Sequence, residues 1–138
     1  MIRILVTGSR DWRDWQTMRE AFTEVVRTMP GPFTVVHGGQ KSLDRQTGEW
    51  YGADYIADVL ARQMGAEVEP YPVPKEAWRR LGKAAGPIRN KVMVDAGADI
   101  CLAFPLGESR GTRGCMELAD AAGIPVRNWG DGRDRHVV

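Results

Sequence analysis

Asp99–Thr112, DICLAFPLGESRGT, is the stretch whose reading decides the fold. From Asp99 to Phe104 it is short and almost continuously apolar, the pattern of a strand covered on both faces. Pro105 ends the strand because it has no N–H for the sheet ladder. A loop with Gly107, Ser109, Arg110 and Gly111 follows, and Thr112 opens a helical stretch to Ala122. A strand, a glycine-bearing loop and a helix start make an anion site. Free backbone N–H groups point outward there, the helix dipole favours negative charge, and glycine admits close approach. Loops of this kind also serve merely to turn the chain, so the weight comes from similar junctions elsewhere.

Outward from this stretch the same pattern repeats. Ile2–Thr7 (IRILVT) reads as a central parallel strand, broken sharply by Gly8-Ser9-Arg10-Asp11-Trp12. From Asp14 to Met29 the apolar residues recur at helical spacing, and Pro30-Gly31-Pro32 stops the helix. Phe33–His37 is the next strand, ended by Gly38-Gly39. The segment 40–51 is polar and aperiodic, and reads as a mobile surface loop. Gly52-Ala53-Asp54 leads into a helix through Met64, with Ile56, Val59, Leu60 and Met64 as its buried face and Gly65 as its cap. Glu67–Tyr71 is a shorter, more polar strand, as expected near a sheet edge, and Lys75–Gly82 a helical turn or short helix. Gly86-Pro87-Ile88-Arg89-Asn90 opens another helix with proline at its first position and Val92, Met93 and Ala96 pointing inward. Ile124–Trp129 is the fifth strand.

Strands alternating with helices imply right-handed crossovers and a parallel sheet with helices on both faces. The expected fold is α/β, a Rossmann-like three-layer sandwich with a parallel sheet of about five strands. The expected organisation is one domain over residues 1–129, with 40–51 as an inserted loop and 130–138 as a loose polar tail. Ligands of such sheets bind beyond the carboxyl ends of the strands, where the glycine-bearing loops gather.

The net charge of +1 over 138 residues gives no reason to expect a nucleic-acid or membrane surface. Cys101 and Cys115 lack the spacing of a disulfide scaffold or a zinc site and read as packed thiols. No apolar run approaches the ~20 residues of a membrane span, and a strand at the very start leaves no room for a signal peptide. A cytoplasmic protein is the expectation. After the first strand stands GSRDWR, without the later glycines of a dinucleotide fingerprint, and no Walker A loop, HExxH or GxSxG occurs. Neither a resident cofactor nor a metal is expected.

The candidate ligand-binding residues are Gly8, Ser9, Arg10, Gly38, Gly39, Asp54, Arg89, Asn90, Gly111 and Thr112. Arg10, after a tight turn, either clamps a phosphate through its planar fork or pairs with Asp11 or Asp14. Gly38 and Gly39 either bare the backbone to a ligand or permit positive φ. Asp54 either holds a ribose hydroxyl or caps its helix. Arg89, placed with Asn90 in the first turn of a helix, opposes the dipole and so asks for an anion, either a ligand or a carboxylate of the chain itself. Thr112 serves phosphate, the N-cap, or both. His37 reads as a polar strand end. Trp12 and Trp15 read as core, while Trp50 and Tyr51, in the polar segment, favour a ligand or partner contact.

Taken together, VTGSRDW, VHGG, GAD opening a helix, AGPIRNKVMV, and LAFPLGESRGT followed by AAGIPV resemble the SLOG superfamily. More narrowly, they look like its short bacterial and phage branch related to the YspA group, over Ile2 to Val126. The segment 40–51 is longer than that branch's usual connection, which suits a lid, an oligomer contact or a neutral insertion. The resemblance implies a pocket for a nucleotide or a nucleotide-derived molecule of the ADP-ribose, NAD or nucleoside monophosphate kind, and self-association as a homo-oligomer. It also brings in phosphoribohydrolases, sensor domains and a DNA-binding branch. The hydrolase branch carries PGGxGTxxE and an arginine on another helix, to which Arg89 corresponds. Three positions after Thr112, however, stands Cys115, and Glu117 lies about 200° around the helix at 3.6 residues per turn. Lacking that carboxylate, hydrolysis would lose the acid–base contribution of ~10²–10⁴-fold unless Asp54 or Glu108 replaced it. The expectation is therefore a ligand-binding or sensing module, with nucleoside 5′-monophosphate phosphoribohydrolase as the alternative. DNA binding ranks lower on charge.

Overall fold

The computed structural model describes residues 1–131. Five strands form one parallel sheet: β1 (Ile2–Gly8), β2 (Phe33–His37), β5 (Glu67–Pro70), β6 (Ile100–Phe104) and β7 (Val126–Asn128). Their order is β5-β2-β1-β6-β7, so the chain reverses direction across the sheet between β1 and β6. The register pairs Ile4 with Val35 on one side and with Ile100 on the other. The α/β sandwich expected of the chain is the one it adopts, and the polar strand at Glu67–Pro70 is an edge strand.

The apolar runs are continuous because both faces of the central strands are covered. Ile4 and Val6 face a layer made by α1 (Trp15–Thr28) and α2 (Ala53–Gln63), packed with Met18, Phe22, Ile56 and Leu60. Leu5 faces the opposite layer, made by α4 (Ala85–Asp95) and α5 (Arg110–Ala121), through Met93, Val94, Cys115 and Ala119. Both cysteines are buried free thiols. Asp14 caps α1 by accepting the Thr17 N–H at 3.0 Å.

Several boundaries and faces differ from the sequence expectations. The segment 40–51 is not plain loop: β3 (Ser42–Leu43) and β4 (Trp50–Tyr51) pair as a small antiparallel hairpin. Ser42 Oγ donates to Arg10 O at 3.0 Å, and the Arg13 guanidinium lies 3.7 Å from the Tyr51 ring centroid. These contacts tie the hairpin to the β1–α1 loop. Met64, Val92 and Ala96 are exposed; in α4 Met93 is buried as expected, but Val94 and Asn90 share that face in place of Val92 and Ala96.

Helix α4 also begins earlier than Pro87. A 3₁₀ turn at Gly82–Ala84 follows α3 (Lys75–Leu81) and already carries helical dihedrals at Ala84. Pro87 is thus the third residue, where its missing N–H is still one of the helix's four unpaired donors. Arg89 and Asn90 consequently sit in the second turn, and the dipole argument for an anion at Arg89 falls away. In α5 the N-cap is Ser109 rather than Thr112, with φ 45° and ψ 51° in the left-handed region. The fifth strand shrinks to Val126–Asn128. Asp131 N–H donates to Pro105 O at 2.8 Å, and the rest of the expected tail, 132–138, lies outside the described residues.

Candidate functional site

Beyond the carboxyl edge of the sheet, at the reversal between β1 and β6, opens a cleft of about 390 Å³. Four segments build its walls: the β1–α1 loop with Gly8, Ser9 and Arg10, the β2 turn with Gly38, the start of α2 with Asp54, and the α4–α5 side with Arg89, Asn90, Gly111 and Thr112. Of the ten candidates only Gly39 stays off the wall. Its φ of +72° instead shapes the turn beside Pro72.

Two helix starts face the cleft, and no side chain caps either one. The N-cap of α2 is Gly52, which has no side chain to offer. Asp54, two residues further in, is therefore not the cap. Ala53 N–H is taken by Ser9 O at 3.0 Å, pinning α2 against the first loop. At α5 the Ser109 side chain makes no capping bond; its hydroxyl donates to Thr112 Oγ1 at 3.2 Å instead. The intrahelical ladder begins with Arg113 N–H to Ser109 O, so the preceding donors have no place in it. Arg113 braces the loop by donating to the Gly107 and Glu108 carbonyls at 2.8 and 3.0 Å. The result is a fixed rim of backbone donors with positive dipole ends.

Arg89 reaches across from α4 to the β2 turn. Its Nη1 donates to Gly38 O at 2.5 Å and Tyr71 O at 3.2 Å, and its Nε to Asn90 Oδ1 at 2.9 Å. All three acceptors are neutral. Burial lowers the pKa of Arg89, against the pull of Asp54. Nη2 has no hydrogen-bond partner among the described residues, where no fully buried side-chain nitrogen or oxygen is left unpaired. Nη2 is therefore not fully buried, and Arg89 lines the cleft. Asn90 extends the brace by donating to Gly111 O at 3.3 Å.

Asp54 lies beneath this cation. Its carboxylate accepts the Gln40 N–H at 3.1 Å, and burial raises its pKa, opposed by His37, that N–H, Arg89 and the Gly38 N–H. Gly38 is glycine for lack of room: a Cβ there would stand 2.5 Å from Arg89 Nη1 and 2.9 Å from Asp54 Oδ2. Buried His37 accepts the Gly39 N–H on Nδ1 at 2.9 Å, and its Nε2 lies 2.8 Å from Asp58 Oδ2. It is the polar strand end it was expected to be.

Cys115 is a buried thiol hydrogen-bonded to Thr7, its pKa raised by burial, and it does not line the cleft. Glu117 is exposed. Glu108 points to solvent beside Arg110, so of the two replacement carboxylates only Asp54 reaches the cleft. Trp12 packs edge-on against Phe104 and Trp15 against Tyr55, both in or against the core. Trp50 and Tyr51 do not line the cleft. The aromatic that does is Trp78, in α3, together with Gln40 and Arg110. Trp78 was legible only as a lone large aromatic in the charged run KEAWRRLGK. Among the described residues no group of His, Cys, Asp or Glu could hold a metal ion, and no helix is long and apolar enough to cross a membrane.

Fold and cleft together define a Rossmann-like α/β protein with a cleft at the switch point of the sheet. The model of the YspA, cpYpsA-related SLOG family matches residues 2–50. The chain is also 48% identical over 134 residues to the Gene 61 protein of Mycobacterium phage D29, which covers 95% of this chain and 98% of that protein. This chain belongs to the YspA, cpYpsA-related SLOG family.

Proposed function

We propose that the cleft binds a nucleotide or nucleotide-derived small molecule through its phosphate, as a ligand-binding or sensing module. The observation that carries this reading is the meeting of two helix starts, neither capped by a side chain, with Arg10 and Arg89 on one concave wall. Backbone donors at helix starts favour anions, and arginine forks match phosphate oxygens. Arg89 suits the role because its own partners are neutral, which leaves its charge to a ligand. Among the described residues Asp54 is the carboxylate that acts on it, and burial works against that group's ionisation.

The test is isothermal titration with AMP, ADP-ribose and NAD, with each mixture then analysed for products. Binding is expected, and Arg89→Ala should weaken it about tenfold to a hundredfold, the worth of a charge-assisted hydrogen bond. Equal affinity in that variant would remove Arg89 from the site. A nucleotide recovered intact supports the binding module.

A second reading, phosphoribohydrolase, rests on Asp54, a cleft carboxylate whose raised pKa suits acid catalysis. It predicts release of free base and ribose phosphate, abolished in Asp54→Asn.

A further inference from the structure

We propose that Trp78 reads the base of the ligand by stacking on it, making this cleft selective for nucleotides over sugar phosphates. The inference rests on the nucleotide-binding reading and adds the residue that discriminates. Helix α3 has no buried residue, so no core contact accounts for a tryptophan there. Trp12 and Trp15, by contrast, are held against core aromatics. Trp78 is half-buried, and what it half-buries is the cleft wall.

Its surroundings suit a flat ligand. Gly86, in the first turn of α4, lies under the indole edge: a Cβ there would be 3.6 Å from Cη2, so the ring rests close to bare backbone. The Arg10 guanidinium lies over the ring, its carbon 5.5 Å from the centroid. Arg10 is exposed and has no ion-pair partner among the described residues, so nothing holds it over the ring. A base laid on the indole would replace one π-face contact by a larger one and release Arg10 toward the phosphate. The indole N–H also has no partner among the described residues, which leaves a donor for the base or sugar. Lys75, Arg79 and Arg80 on the same helix are exposed and complement an anionic ligand.

Stacking is tolerant of base identity because every base has a π-face, so Trp78 distinguishes the presence of a base rather than its type. The experiment titrates ribose 5-phosphate and AMP into the wild-type protein, Trp78→Ala and Trp78→Phe. Wild type should bind AMP about tenfold or more tighter than ribose 5-phosphate, the usual worth of one stacked base. Trp78→Ala should bind ribose 5-phosphate as wild type does and lose the AMP advantage, and Trp78→Phe should keep most of it. Equal wild-type affinities for the two ligands, or an AMP advantage that survives Trp78→Ala, would overturn the inference while leaving phosphate binding standing. Binding of neither ligand to wild type would overturn the nucleotide-binding reading, and this inference with it. Because no residue of α3 is fully buried, Trp78→Ala should melt within a few degrees of wild type, so a lost AMP advantage reports on stacking rather than folding.

Discussion

Arg89 can serve an anion only while its guanidinium stays where Gly38 O, Tyr71 O and Asn90 Oδ1 hold it. Gly38→Ala puts a methyl group on that guanidinium. It should therefore weaken AMP binding as Arg89→Ala does, and add little on the Arg89→Ala background, because both changes remove the same contact. Titration of the three variants checks this; additive losses would mean that Gly38 acts on the ligand directly. Asp54 supports the same assembly from below. Asp54→Ala leaves the Gln40 N–H and Arg89 without their carboxylate, and should cost about 2–3 kcal/mol in urea unfolding. Asp54→Asn keeps an acceptor for the Gln40 N–H and should cost less.

Among the elements, the cleft depends on α2 lying hard against β1. A Cβ at Gly8 would collide with the Ala53 methyl and stand 3.0 Å from Phe104 Cβ, with no flexible side-chain end to give way. Gly8→Ala should destabilise by about 1–3 kcal/mol, as overpacked sites do, and open the α2 start away from the first loop. The far side of the sheet is tied by charge. Arg3 on β1 reaches past β2 to Glu69 on β5 with hydrogen bonds of 3.1 and 2.8 Å, and Tyr71 donates to the same carboxylate at 2.7 Å. Arg3 first, then Tyr71, lowers the Glu69 pKa from 4.5 to about 2. Because folding lowers this pKa, the bridge contributes fully above about pH 4.5 and is lost as pH falls toward 2. The pair is part-exposed and screened, so its worth is about 1 kcal/mol or less. The melting difference between wild type and Glu69→Gln should thus be small at neutral pH and vanish near pH 2.

At the scale of the whole molecule, a ligand that binds only the folded chain stabilises it by mass action. AMP at a hundred times its Kd should add about 2.7 kcal/mol and raise the melting temperature by roughly 10 °C for a chain of this size. Thermal denaturation with and without AMP checks this. The gain should shrink in Arg89→Ala, and in Trp78→Ala fall to that given by ribose 5-phosphate at the same concentration.

The three central strands β1, β2 and β6 were visible in the sequence because burial on both faces leaves an apolar run, and glycine or proline marks its end; the edge strands β5 and β7 bury no residue and were placed by their position between helix and loop. Helices α1 and α2 were visible because one buried face repeats at the helical period. The buried face of helix α4 was visible only in part because little distinguishes its faces in sequence: Val92 is exposed and polar Asn90 is buried. Most candidate site residues were visible too, since the loop after a parallel strand must lie at the carboxyl edge. Only the tertiary structure decided how they meet. Arg89 belongs to the second turn of its helix and finds its partners 51 residues back, at Gly38. Trp78 enters the cleft from a helix with no buried face, and the hairpin at 40–51 takes its place through contacts with the β1–α1 loop. Local patterns record which residues are buried; which side chains converge depends on the crossings of the chain and the direction of each side chain, and neither leaves a local period to read.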